Sequence, residues 1–355
     1  MKKKIDLRDI LVVAPSLHWH YSGVTSTIMA LVPHQAQHLP IATLGPFMPE
    51  TIPQLSAKEI FKHGWSKPTG QSYRIWHARR NNEMIVGLFL KMILRQPWKI
   101  VFTWAGQRQQ AKLTQWLVRK MDAVIATSEA AASYLKVPAT VIHHGVDTNK
   151  YHPTTLADQK TEWHKAGLPG DFGIGAFGRV RPEKGSDLFV KAMIQLLPKY
   201  PHTTSIITGL IATEFQAFAS NLKKLTISAG LEKRIIFLGE KPVNEMPEWF
   251  RRISLYVAPM RWEGFGLTPL EAMASGVAVV ATRTGVAADL VEDGVTGILV
   301  PPDDLEALIN AIELLLANPE KCKAMGDAGR EKAIHSHSIA KEVSAIQNVY
   351  EQIWK

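Results

Sequence analysis

The chain has a single cysteine, Cys322, so no intrachain disulfide can form, and a reducing compartment suits it. It also lacks a long apolar run. The longest stretch, Ile85 to Leu94, is broken by Lys91 and falls far short of the roughly 20 residues a membrane span needs. The basic opening Met1-Lys2-Lys3-Lys4 leads into a segment interrupted by Asp6, Arg8 and Asp9, where a secretory signal would have an apolar core. The expectation is therefore a cytoplasmic protein. No Asp-x-Asp pair follows a strand, because Asp303-Asp304 comes after Pro301-Pro302 and starts a helix, so no metal site is expected. Acidic residues are scarce in one half only. Residues 1–150 carry 19 Lys and Arg against 8 Asp and Glu, a net of +11, while residues 151–355 carry 22 against 24, a net of −2. A basic half suits an anionic partner, such as nucleic acid, a phosphorylated lipid or an acidic membrane face; a surface merely kept soluble by charge is the alternative. No basic platform interleaved with aromatics is visible, which argues against nucleic acid.

What is present is alternation. At 355 residues the chain is long enough for two domains, each with its own core. Ile10 to Pro15, Ile41 to Leu44, Tyr73 to Trp76, Lys99 to Thr103, Asp122 to Ser128 and Ala139 to Ile142 read as short strands separated by helical stretches. After polar Thr148 to Lys165, which reads as a connection, the pattern restarts at Phe172 and continues through strands near Ser205, Ile235, Leu255, Val277 and Gly297. The predicted fold class is α/β: two tandem Rossmann-like, doubly wound parallel sheets facing across a cleft, in domains 1–150 and 151–339.

Gly173-x-Gly175-x-x-Gly178 matches the dinucleotide fingerprint in spelling. That fingerprint needs a helix opening within the glycines and an acid about 20 residues on. Here the loop runs on through Arg179 to Gly185, and no Asp or Glu occupies 190–205. Nicotinamide binding is rejected. The loop instead offers Arg179 and Lys184 beyond a strand end, fixed cations that can offset the charge developing on a diphosphate leaving group without a metal.

Glu263-Gly264-Phe265-Gly266-Leu267-Thr268-Pro269-Leu270-Glu271 lies between a buried strand and a helix. Its carboxylates fall where open α/β sheets bind ligands. Pro269 suits the first helical position, which would put Glu271 in the first turn. Thr268 to Glu271 also matches a capping box, in which Glu271 would only satisfy a backbone N–H. In the basic half, Ser22 to Thr27 is a small glycine-containing turn that opens a helix, and His18-Trp19-His20 precedes it. His77, Arg79 and Arg80 cluster where a strand yields to a helix, and arginine forks bind carboxylate or phosphate. An anionic acceptor or a solvated basic helix end would each account for them.

Gly178-Arg179, Lys184-Gly185, the Glu263-x7-Glu271 segment, Ala274-Ser275-Gly276 and Asp293-Gly294-x-x-Gly297 resemble the retaining glycosyltransferases of family 4, which have the GT-B fold. In the first half, Ser22 to Thr27, Trp76 to Asn81, Phe102-Thr103 and Gln107-Arg108 resemble the branch that adds mannose to the lipopolysaccharide core. The resemblance implies a retaining, metal-independent transferase with no cofactor beyond its nucleotide-sugar donor, GDP-mannose. The implied acceptor is an anionic lipid-linked saccharide, the Kdo-containing inner core, met at the cytoplasmic face of an acidic inner membrane. Arg179 and Lys184 would hold the diphosphate, beside Gly178. Glu271 would take the ribose hydroxyls. Glu263 would take donor-sugar hydroxyls, with the backbone of Gly264, Phe265, Gly266 and Leu267 around it. Gly23 would let its loop approach the phosphates, and His77, Arg79, Arg80 and Arg108 would face the acceptor. Residues 340–355 would return to the first domain. Many relatives carry a histidine where this chain has Ala105, so His77 or Arg108 would serve that end of the sugar. A UDP- or ADP-sugar hexosyltransferase, a sugar-nucleotide epimerase and a non-catalytic nucleotide-binding module are the competing readings.

Overall fold

The computed structural model describes residues 6–19, 22–48 and 50–355; the basic Met1–Lys4 stretch and His20 lie outside them. Two compact units divide the chain: Met1–His144 together with Ile339–Lys355, and Gly145–Ser338.

In the first unit, β1 (Val12–Pro15), β2 (Ile41–Leu44), β3 (Arg74–Ala78), β4 (Trp98–Trp104), β5 (Ala123–Ala126) and β6 (Thr140–Val141) form one parallel sheet in the order β2-β1-β3-β4-β5-β6. Helices cover both faces of such a sheet, which is why its strands read as unbroken apolar runs. On one face α1 (Gly23–Gln35) and the C-terminal helix Ile339–Trp354 pack on Val12, Ile75 and Val101. On the other, α2 (Ala57–His63), α3 (Asn81–Leu88) and α4 (Lys112–Val118) supply Ile60, Met84, Leu88 and Leu117 against Trp76, Ile100 and Phe102. The C-terminal helix buries Ile339, Glu342, Val343, Ile346, Val349 and Tyr350, an apolar stripe at three- and four-residue spacing with two polar members. Those two are bonded: Glu342 to His144 Nδ1 at 2.7 Å, and the Tyr350 hydroxyl to His77 Nδ1 at 2.6 Å.

In the second unit, β7 (Phe172–Phe177), β8 (Thr203–Thr208), β9 (Ile235–Gly239), β10 (Leu255–Ala258), β11 (Ala278–Thr282) and β12 (Ile298–Val300) form a parallel sheet in the order β12-β11-β10-β7-β8-β9. Around it lie α5 (Leu156–Lys165), α6 (Ser186–Leu196), α7 (Leu267–Ala274) and α8 (Pro319–His337), among others. Winding reverses between β7 and β10 here, and between β1 and β3 in the first unit, so each sheet has one switch-point crevice at its strand ends.

One expectation changes. The polar segment expected to be a plain connection contains α5, capped by Thr155, whose hydroxyl accepts from Asp158 N–H. Only Trp163 of α5 is buried, and one anchor per helix leaves no periodicity to read. The glycines of the fingerprint serve packing: a Cβ at Gly173 would lie 2.5 Å from the Trp163 ring, and one at Gly175 would lie 2.7 Å from Ile253.

Candidate active site

At the switch point of the second unit, the ends of β7 and β10 open into a hollow of about 330 Å³ lined by Phe177, Gly178, Arg179, Lys184, Pro259 and Met260. A second hollow of about 200 Å³ shares Met260 and reaches Glu263, Phe265, Gly266 and Thr282. The loop after β7 carries exposed Arg179, makes a tight turn at Pro182–Lys184, and enters α6 through Gly185 at φ +68°. Any larger residue at Gly185 would drive its Cβ into the Pro259 carbonyl. That close approach brings the two loops together and sets Lys184 Nζ against the Glu263 carboxylate as an ion pair. Met260 Sδ lies 3.8 Å from the same nitrogen. The other oxygen of Glu263 accepts from Gly264 N–H at 3.0 Å.

Arg261, which sequence reasoning passed over, buckles the two loops. Its guanidinium grips Asp187 at 2.7 and 2.9 Å, pairs with Asp303 and bonds the Pro182 carbonyl, while its own N–H donates to Glu183 O at 2.9 Å. Its pKa is driven up chiefly by the hydrogen bonds it donates to Asp187.

The helix after Glu263 departs from expectation in its register. It starts at Leu267 after Gly266 at φ +95°, so Pro269 is its third residue, and Glu271 lies in the second turn with no capping box. The expected first-turn position is corrected on this point, because a left-handed glycine ends the loop two residues earlier than the proline suggests. Glu271 instead accepts from the Tyr151 hydroxyl at 3.0 Å. Burial pushes its carboxyl pKa up to about 7, against the opposing pull of the Tyr151 hydrogen bond and Lys150. Tyr151 is held in turn by Arg330, whose guanidinium bonds the carbonyls of Tyr151 at 2.7 Å, Ala274 at 2.6 Å and Thr148 at 3.0 Å. Neither Tyr151 nor Arg330 stands in a pattern that marks it.

At the switch point of the first unit, Arg80 gathers the loops. It donates to Ser22 Oγ at 2.9 Å, Thr25 Oγ1 at 3.0 Å and Ser16 Oγ at 3.3 Å, and pairs with Glu83 at 3.0 Å. Its fork thus braces the turn at Gly23, where an added Cβ would meet no described atom within 4 Å. Arg79 donates to His77 O at 3.3 Å, and its Nη2 has no hydrogen-bond partner among the described residues. Arg108 is exposed. His77 is placed otherwise than expected. It lies on β3 wholly out of solvent, with Nδ1 on Tyr350 and Nε2 on Thr103 Oγ1 at 2.7 Å. Burial holds it well below the usual histidine pKa, as does the charge of Arg79. A neutral histidine with both nitrogens occupied inside the sheet has nothing left for an acceptor, so it acts as a core anchor of the C-terminal helix.

The sequence pattern of the glycosyl transferases group 1 matches residues 159–332. Over 349 residues the chain is 47% identical to the lipopolysaccharide core biosynthesis mannosyltransferase LpcC of Rhizobium leguminosarum bv. viciae, covering 98% of each chain. The chain belongs to the group 1 glycosyltransferases. This glycosyltransferase is also 45% identical over 356 residues to the lipopolysaccharide core biosynthesis mannosyltransferase LpsB of Rhizobium meliloti strain 1021, covering 99% of this chain and 100% of that one. Among solved structures it is similar to Anabaena Alr3699/HepE in complex with UDP and glucose, with a TM-score of 0.81 at 22% identity over 96% of this chain and 99% of that one. That likeness places the two Rossmann-like units of the transferase in the GT-B fold.

Proposed function

We propose that this glycosyltransferase moves mannose from GDP-mannose, with retention and without a metal ion, to an anionic lipid-linked saccharide of the lipopolysaccharide inner core. The observation that supports this most is the reach of the similarity to LpcC, which runs through both units. On this reading the acceptor hydroxyl attacks the sugar's anomeric carbon from the face the diphosphate leaves. The bond from that carbon to the phosphate oxygen breaks, and the departing oxygen takes the acceptor's proton. Arg179 and Lys184 balance the growing phosphate charge. Glu271 accepts from the ribose hydroxyls, and Glu263, close to Lys184, orients the sugar. In the first unit the unpartnered Nη2 of Arg79 is a donor an acceptor carboxylate would satisfy. The net +11 of residues 1–150 suits an anionic acceptor and an acidic membrane face.

The test is a panel of nucleotide sugars against a Kdo–lipid A acceptor, with mass spectrometry and anomeric NMR of the product, in the presence and absence of a chelator. The expected product carries one added hexose in the α configuration, from GDP-mannose alone, with or without chelator. Transfer from UDP- or ADP-sugars would overturn the donor. An altered sugar nucleotide released without acceptor would make the protein an epimerase, and nucleotide binding without turnover would make it a binding module.

A further inference from the structure

The first unit turns several large apolar side chains outward on one side of its sheet. Along α3 and the π-helical turn Phe89–Ile93 that continues it, Ile85, Phe89, Met92 and Ile93 are exposed, Ile93 by 68%. Their spacing is that of a helix stripe, yet it faces solvent while Met84 and Leu88 face the core. The stripe has neighbours. Exposed Phe61 of α2 meets the Phe89 ring edge-on at 6.3 Å, and exposed Trp65 donates from its indole to Leu94 O at 2.8 Å. Asn81 donates to Thr114 Oγ1 at 2.8 Å and so joins α4 to α3, and α4 adds exposed Leu113 and Trp116. Three helices therefore share one apolar ledge, a feature that marks an interaction surface.

The rim identifies the occupant. Residues 84–121 contain seven Lys and Arg and no Asp or Glu. Two of the seven, Lys91 and Lys99, are engaged by Asp122 at 2.6 and 3.1 Å. Arg95, Arg108, Lys112, Arg119 and Lys120 are exposed. A second copy docked ledge to ledge would set basic rim against basic rim. A bilayer offers apolar depth for the ledge and negative headgroups for the rim, the combination that holds amphipathic surfaces in the membrane interface. No described helix is long and apolar enough to cross a membrane, so the contact is with the interface.

We propose that α2, α3, its π-helical turn and α4 form a seat by which the first unit rests on an anionic phospholipid surface. The purpose assigned to that seat, meeting a lipid-linked acceptor, rests on the proposed function; the seat itself does not. The test is flotation of the full chain with vesicles of phosphatidylglycerol mixed with phosphatidylcholine, against phosphatidylcholine alone. Wild type should float with the anionic vesicles only. Met92→Asp combined with Ile93→Asp should cut partitioning by about tenfold or more, and Lys112→Glu with Lys120→Glu should cut it and flatten its salt dependence. All these side chains are exposed, and GDP binding and mannose transfer to a delipidated Kdo saccharide serve as the folding controls. Wild type that ignores anionic vesicles, or variants that float as wild type does, would overturn the seat, as would a wild-type dimer dissolved by the aspartate variants. Failure of mannose transfer to any acceptor would refute the proposed function and leave the flotation result to decide the seat on its own.

Discussion

Replacing Glu271 by Gln keeps the size of the side chain and an oxygen for the Tyr151 hydroxyl, but removes a charge that burial disfavours. The carboxyl stands at about 7 against an ordinary 4.5. That difference corresponds to about 3 kcal/mol at most, and to about 1.5 kcal/mol once the partial exposure of the side chain is allowed for. The sign follows from proton counting. Between about pH 4.5 and 7 the folded carboxyl keeps a proton that the unfolded chain has released, so its contribution is whole below 4.5 and is lost as pH rises through 7. Glu271→Gln should therefore melt with wild type near pH 4.5 and above it at pH 8, in the calorimetric transition of the second unit. Nucleotide binding should move the opposite way. A carboxylate accepting from ribose hydroxyls must be ionised, and a group titrating at about 7 is roughly a tenth ionised at pH 6 and nine tenths at pH 8. Isothermal titration should show GDP tightening by up to about tenfold over that interval in wild type, beyond what ionisation of the phosphates contributes in Glu271→Gln. Equal stability gain at both pH values would refute the burial argument. An unchanged GDP affinity in the variant would refute the assigned role.

Three further outcomes are expected. Glu263→Ala should lose transfer while holding GDP as tightly as wild type or more so, because Lys184 is released from its carboxylate; full activity would remove Glu263 from the site. Arg261→Ala strips Asp187 and Asp303 of their guanidinium, and should cost the second unit about 1–3 kcal/mol by calorimetry and weaken GDP binding through the loosened Lys184 loop. In the first unit His77 stays neutral when folded, so below about pH 6.5 the unfolded chain gains a proton that the folded one refuses, and stability falls by up to about 1.4 kcal/mol per pH unit. His77→Asn should flatten the acid side of that unit's melting curve, and an unchanged slope would refute the assignment.

Much of the fold could be read from the chain because parallel strands buried on both faces have to be continuous apolar runs. Ile41–Leu44 and Ile235–Gly239 fall where the pattern puts them, and the others shift by a residue or two. What escaped was carried by single residues. α5 depends on one tryptophan, and periodicity needs at least two. The helix at Leu267 begins by the φ of Gly266, which no spacing reports, so Pro269 pointed to the wrong start. Tyr151, Arg261 and Arg330 make contacts 42 to 182 residues away in sequence, and nothing local distinguishes them from surface residues. His77 shows the converse error. Beside two arginines it reads as part of a binding cluster, yet it lies within a strand buried along its whole length, while Arg79 and Arg80 come just after the strand ends.

The Lys184–Glu263 pair gives the proposed chemistry an order of events. Without donor, each charge is the other's partner, in a spot where an unpaired charge would be costly. A diphosphate arriving at Lys184 brings more negative charge than the carboxylate it displaces, so the cation keeps a partner throughout. Glu263 is then released towards the second hollow, which it already lines with Phe265 and Gly266, and that is where the sugar of a donor held at Lys184 would lie on this reading. The carboxylate becomes free to accept sugar hydroxyls only when a diphosphate is bound to carry that sugar. On the proposed reading, two loops joined by Arg261 would make phosphate binding and sugar orientation one event, and a free sugar without its diphosphate would find Glu263 already occupied.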